Sequence, residues 1–127
     1  MAEQIRVVLV EDNDVFREAL ELLLGLRPEI QIIASVADGA DAAQAASQLC
    51  PEVVLMDYRL PGLDGVQATR AVLKACPETA VVCLTAEATP REREALFEAG
   101  AVGCLEKDEG LDAIVTAIHG AAKTTAA

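Results

Sequence analysis

Five polar residues could do chemistry in this sequence: Glu11, Asp12, Asp57, Thr85 and Lys107. Each stands at or just beyond the end of a short apolar run. Ile5–Val10 leads into Glu11-Asp12, Val53–Met56 ends on Asp57, Ala80–Leu84 ends on Thr85, and Val102–Leu105 runs into Glu106-Lys107-Asp108. Three carboxylates cannot stay ionised together in a partly dry cleft unless cations join them. Lys107 offers one positive charge and a divalent ion two more. Hard oxygen ligands, with no histidine or thiolate nearby, select Mg²⁺ over zinc or copper. Such an ion with open water positions awaits a phosphoryl group. Thr85 can donate to one phosphoryl oxygen and Lys107 can pair with another, which leaves Asp57 as a nucleophile that forms an acyl phosphate. Taken singly, each residue has a plainer reading as a helix cap, a strand end or a solvated lysine. Their joint placement favours the chemistry.

That placement requires a particular fold. The apolar runs at 5–10, 30–36, 53–57, 80–85 and 102–105 read as strands. Helical spacing follows each of them: Phe16, Ala19, Leu22, Leu23 and Leu26; Ala42 to Leu49; Val66, Thr69, Val72 and Leu73; a helix from Pro90 to Ala99; and Leu111, Ile114, Val115 and Ile118. Asp38 or Asp41, Asp64 and Thr89-Pro90 are the expected helix starts. Pro61-Gly62 suits a type II turn after Asp57. Pro28-Glu29, Pro51-Glu52 and Pro77-Glu78 punctuate helix-to-strand junctions at intervals of roughly 25 residues, two of them preceded by Cys50 and Cys76. Five βα units in one short chain predict an α/β, flavodoxin-like doubly wound (βα)5 parallel sheet of strand order 2-1-3-4-5. In that order strands one, three, four and five lie side by side, and their polar ends line one crevice. The expected domain spans residues 1–122. Residues from Gly120 on read as a fraying end, with 123–127 as a tail or the start of a linker.

Composition narrows the function. With 10 Lys+Arg against 21 Asp+Glu, the net charge is −11, which argues against nucleic-acid or anionic-membrane binding by this segment. No apolar run approaches the roughly 18 residues of a membrane helix, and no secretory leader pattern opens the chain. A cytoplasmic protein is expected, with Cys50, Cys76, Cys83 and Cys104 reduced and serving as small hydrophobes.

The blocks VVLVEDND, DYRLPGLDG, VVCLTA and GAVGCLEKD resemble, in order and spacing, those of a bacterial two-component response-regulator receiver domain. The wording around MDYRLPGLDGVQATRAV and LEKD is most similar to receivers that precede a LuxR-type helix-turn-helix in transcription factors. The resemblance covers Ile5 to about Ala122. It implies that a sensor histidine kinase or phosphotransfer protein phosphorylates Asp57. Glu11, Asp12, Asp57 and the backbone carbonyl of Arg59 would hold Mg²⁺, Lys107 would contact the phosphoryl group, and Thr85 would be the switch hydroxyl. The family usually has Tyr or Phe where this chain has Cys104, which leaves the usual threonine–aromatic relay without its second half. The chain also stops near Ala127, so a helix-turn-helix domain is expected to be missing.

Other expectations are smaller. Arg59 and Glu87 could pair across the rim and tune the lifetime of the phosphoryl-aspartate. His119 reads as a surface residue favoured by the end of the last helix. Arg91, Arg93, Phe97 and Glu98, with the last helix, form a candidate partner face, and a second copy of the chain is a candidate partner. Two alternatives stand beside the main reading. One is a phosphorylation-independent dimerisation module. The other is a Mg²⁺-dependent aspartyl phosphohydrolase, which would want an acid where Arg59 stands. On the main reading the chain is not a turnover enzyme, because it catalyses only its own phosphorylation and dephosphorylation.

Overall fold

Strand and helix alternate along the chain because β-branched apolar runs alternate with capped, Ala- and Leu-rich segments. The computed structural model describes residues 4–125. Its elements are β1 (Ile5–Val10), α1 (Asp14–Gly25), β2 (Ile30–Val36), α2 (Gly39–Leu49), β3 (Val53–Asp57), α3 (Gly65–Ala75), β4 (Ala80–Thr85), α4 (Pro90–Glu98), β5 (Gly103–Glu106), a single 3₁₀ turn (Lys107–Glu109) and α5 (Leu111–Thr125). The five strands form one parallel sheet of order β2-β1-β3-β4-β5. The predicted architecture and strand order are those observed.

Each face of the sheet is covered by helices. Val7, Leu9, Leu55, Val82 and Leu84 pack with Leu20 and Leu24 of α1 and with Ile114, Val115 and Ile118 of α5. Val8, Val10, Val54, Met56 and Val81 pack on the other face with α2, α3 and Leu96 of α4. Every residue of β3 and β4 is buried, as expected for central strands covered on both faces.

Sequence-local chemistry sets the helix starts. Asn13, Asp38, Asp64 and Thr89 cap α1 to α4 through their side chains, and Asp64 with Gln67 and Thr89 with Glu92 complete capping boxes. Asp38, not Asp41, is the cap of α2. Helix α4 buries only Leu96. Gly62 takes φ +80° in the turn after β3. Gly65 is needed for another reason: a Cβ there would meet Tyr58 Cα at 2.8 Å, and its N–H donates to the Tyr58 carbonyl at 2.7 Å. The loop that follows Asp57 is thereby folded back onto α3.

Four sequence expectations are corrected. On α1, Leu20 and Leu24 turn inward while Val15, Ala19, Leu22 and Leu26 face solvent, because a 100° step places the two sets on opposite sides. Helix α5 continues through Gly120 and buries Ala121 and Ala122, so no fraying begins at Gly120. Cys50 and Cys76 are not free thiols; a disulfide joins them, with Cα atoms 5.6 Å apart. α2 and α3 run side by side, so the same punctuation that ends both helices brings their terminal cysteines together. Strand β5 also starts one residue later than the apolar run suggested, leaving Val102 44% exposed.

Candidate functional site

The carboxyl ends of β1, β3, β4 and β5 place the predicted polar residues at one sheet edge. Glu11 follows β1 and is 1% exposed; Asp57 closes β3 and is 5% exposed; Asp12 stands exposed at the mouth. Ligand oxygens of Glu11, Asp12 and Asp57 all lie within 4.8 Å of one another. Lys107 Nζ, from the turn after β5, reaches Glu11 Oε1 at 2.7 Å and Asp57 Oδ2 at 3.4 Å. The Arg59 N–H donates to Asp57 Oδ1 at 3.3 Å.

Electrostatics follow from this crowding. Burial, and then the neighbouring charge of Glu11, push the Asp57 carboxyl from 3.8 up to about 7, although Lys107 and the Arg59 N–H pull the other way. Burial works against the Lys107 charge, but Glu11 and Asp57 outweigh it and hold the ammonium above its ordinary value. Lys107 Nζ also lies 4.7 Å from the Phe16 ring centroid, a cation–π contact that steadies its reach. The site is short of positive charge: three carboxylates face one ammonium. Glu11 Oε2 accepts from the Asn13 N–H at 3.0 Å. Glu11 Oε1 is buried, and the cation it faces is the Lys107 ammonium at 2.7 Å. A buried oxygen facing a cluster of hard ligands fits a divalent cation.

Thr85 closes β4 one residue beyond Leu84, the register partner of Asp57. Its hydroxyl donates toward β5, to the Leu105 carbonyl at 3.5 Å, rather than to the carboxylates. Beside the cluster lies a cavity of about 500 Å³ lined by Asp12, Tyr58, Arg59, Leu60, Pro61 and Asp64. The Arg59 guanidinium lies 5.7 Å from the Tyr58 ring centroid. Among the described residues Arg59 makes no ion pair with Glu87. It sits instead near Glu92, whose carboxyl lies below its ordinary value chiefly through the Thr89 backbone N–H. The capping box of α4 fixes Glu92 at the rim, and Glu87 stays exposed in the loop.

The remaining expectations resolve simply. His119 Nε2 meets Glu29 Oε1 at 3.4 Å on the surface. Arg93 pairs with Glu106 at 3.1 Å and donates to the Cys104 carbonyl, joining α4 to β5, while Phe97 stays 49% exposed. Cys104 lies opposite Cys83 in the register of β4 and β5 and packs among the core residues under α4. Phe16 and Tyr58 are site residues that no motif singled out. Phe16 looks in sequence like any apolar helix residue, and only its place in the first turn of α1, just after the Glu11-Asp12 loop, hints that it could face the crevice.

The model of the response regulator receiver domain matches residues 7–119. The chain belongs to that family. The transcriptional regulatory protein LnrK of Bacillus subtilis is 37% identical over 114 residues, 90% of this chain and 52% of LnrK. Response regulator GacA of Pseudomonas aeruginosa is 35% identical over 115 residues, 91% of this chain and 54% of GacA. Among solved structures, a LuxR-family two-component response regulator from Aurantimonas superposes with a TM-score of 0.90 at 29% identity, covering 96% of this chain and 87% of that one. The chain spans about half the length of the curated relatives it matches. In this receiver the acidic cluster and Lys107 occupy the sheet edge where doubly wound folds hold their ligands. No described helix of the receiver is long and apolar enough to cross a membrane.

Proposed function

We propose that this receiver accepts a phosphoryl group on Asp57 from a histidine-phosphorylated kinase or phosphotransfer protein in the cytoplasm. The observation that carries the reading is Asp57 itself, a buried carboxylate between Glu11 and the Lys107 ammonium at an open strand edge. Glu11, Asp12, Asp57 and the Arg59 carbonyl would hold Mg²⁺, which, when bound, neutralises the carboxylates and draws charge off the phosphoryl oxygens. An Asp57 oxygen attacks phosphorus in line, the bond to the donor breaks, and the leaving group departs with the electron pair. Lys107, held in place by Glu11 and Phe16, meets the charge on the phosphoryl oxygens. Thr85 exchanges its bond to the Leu105 carbonyl for one to the phosphoryl group. That exchange couples the site to β5 and α4, where Cys104 and the Arg93–Glu106 pair stand in place of an aromatic relay. The receiver turns over only its own acyl phosphate, and the output it switches is a transcription-regulating domain or a dimer face.

The direct test is incubation with Mg²⁺ and a small phosphodonor, followed by peptide mapping. One phosphoryl group on the Asp57 peptide, absent when a chelator is added, is the expected result. No modification dependent on Asp57 would favour the phosphorylation-independent module, and multiple turnover of a phosphomonoester would favour the hydrolase.

The exposed stripe Val15, Ala19, Leu22 and Leu26 starts beside the Asn13 cap and runs away from the mouth of the site. It is the apolar face by which a protein donor would dock. Leu22→Glu with Leu26→Glu should leave labelling by a small phosphodonor unchanged and slow transfer from a histidine-phosphorylated protein by about tenfold or more. Equal slowing from both donors would remove this face from the docking account.

A further inference from the structure

The Cys50–Cys76 disulfide lies at the opposite edge of the sheet from Asp57 and has no part in phosphoryl chemistry. Cys50 ends α2 and Cys76 ends α3, 26 residues apart in sequence. Cys50 does not behave as a core-filling residue. It is exposed, and it is the one described non-glycine residue at positive φ, 41°. A left-handed helix cap is ordinarily a glycine or asparagine position. What cysteine adds there is a sulfur within bonding reach of Cys76, which is buried at 3% exposure.

The surroundings tie this bond to the strands that carry the site. Cys50 leads through Pro51 into β3, which ends on Asp57, and Cys76 leads through Pro77 into β4, which ends on Thr85. Thr79 Oγ1 donates to the Pro51 carbonyl at 2.8 Å, and the Ala80 N–H donates to the Glu52 carbonyl at 2.9 Å. Arg6 donates to the Leu49 and Cys50 carbonyls and so closes the end of α2. Two βα units are thus joined at their bases by hydrogen bonds and one covalent bond.

We propose that Cys50 and Cys76 form a reversible thiol–disulfide site that staples α2 to α3 and responds to dithiol reductants. A thiolate of the reductant attacks the sulfur of exposed Cys50, and the S–S bond breaks with its electron pair going to Cys76, which takes up a proton. The second thiol of the reductant then attacks its own sulfur in the mixed disulfide and releases Cys50 as a thiol. The reductant leaves as a cyclic disulfide, having given two electrons and two protons. In the chain-entropy account, closing a loop of this size restrains mainly the unfolded chain, so opening it lowers the melting temperature.

The test uses the whole chain, oxidised with glutathione disulfide or reduced with dithiothreitol. Peptide mapping without reductant should recover a linked Cys50–Cys76 peptide. Dithiothreitol should abolish that peptide and lower the melting temperature by about 10 °C, with recovery on reoxidation. Cys50→Ser should melt at the reduced temperature with or without reductant. Complete alkylation of Cys50 and Cys76 after oxidation, or pairing with Cys83 or Cys104 instead, would overturn the proposal. A linked peptide whose reduction leaves melting unchanged would overturn the staple.

Discussion

Asp57→Asn should abolish phosphoryl acceptance and, in the metal-free chain, make the fold more stable. Loss of the nucleophile should cut incorporation by about a thousandfold or more, to the level of nonspecific labelling. The stability gain follows from the crowding at the sheet edge. The folded-state pKa of Asp57, about 7, lies above its ordinary 3.8, so the folded chain binds more protons than the unfolded chain between those values. The contribution of this group is fully present below about pH 4 and is lost as pH rises through about 7. Asparagine keeps the shape and cannot ionise, so that loss disappears. A full conversion of the shift would be about 4 kcal/mol; screening by solvent at the open mouth reduces it to about 1–2 kcal/mol. Thermal melts at pH 7.5 without divalent ions should therefore show a rise of roughly 4–8 °C over the unsubstituted chain, shrinking toward pH 4. A melting temperature that falls at every pH would show that the Lys107–Asp57 pair outweighs burial and repulsion.

Lys107→Met should do the reverse to stability. Methionine keeps an apolar stem beside Phe16 and removes the ammonium that now meets both Glu11 and Asp57. Two buried carboxylates then share the crevice with no cation. They answer partly by taking up a proton, so a cost of about 1–3 kcal/mol at neutral pH is expected rather than the full price of an unpaired buried charge. Excess Mg²⁺ should recover much of this stability by binding the folded state alone. It should not recover phosphorylation, which should stay about a hundredfold slow because the charge on the transferring group has lost its fixed partner. Recovery of both by Mg²⁺ would assign Lys107 a purely structural role.

Much of this site was legible because it rests on local rules. An apolar run that stops on Asp57 marks a strand end, and Asp64, Thr89 and Pro90 mark the helices that must follow. Once five such units are read, topology alone gathers Glu11, Asp12, Asp57, Thr85 and Lys107. What stayed hidden depends on angular placement and contacts across the sheet. Leu22 and Leu24 are equally apolar, and only the helix rotation fixed by packing decides which one meets the core. Phe16 reaches Lys107 across more than ninety residues of sequence, a pairing that no spacing rule encodes. The Cys-Pro-Glu echo was visible, yet its meaning needed α2 and α3 side by side. Arg59 lies over the Tyr58 ring and near Glu92, which the α4 capping box holds at the rim, while Glu87 stays exposed in the loop, and no spacing rule distinguishes the two glutamates.

The single buried side chain of α4 has a consequence for the energy landscape of the fold. Strands β3 and β4 are protected on both faces, so their amides exchange only when the whole domain opens. Helix α4 is held by Leu96, a capping box and the half-exposed Arg93–Glu106 pair, which salt screens. Its amides belong to the low-energy end of the opening spectrum. The helix that follows the loop from Thr85 is thus the segment that can detach and re-dock while the core stays folded. A small free energy at Asp57 is sufficient to shift that local equilibrium.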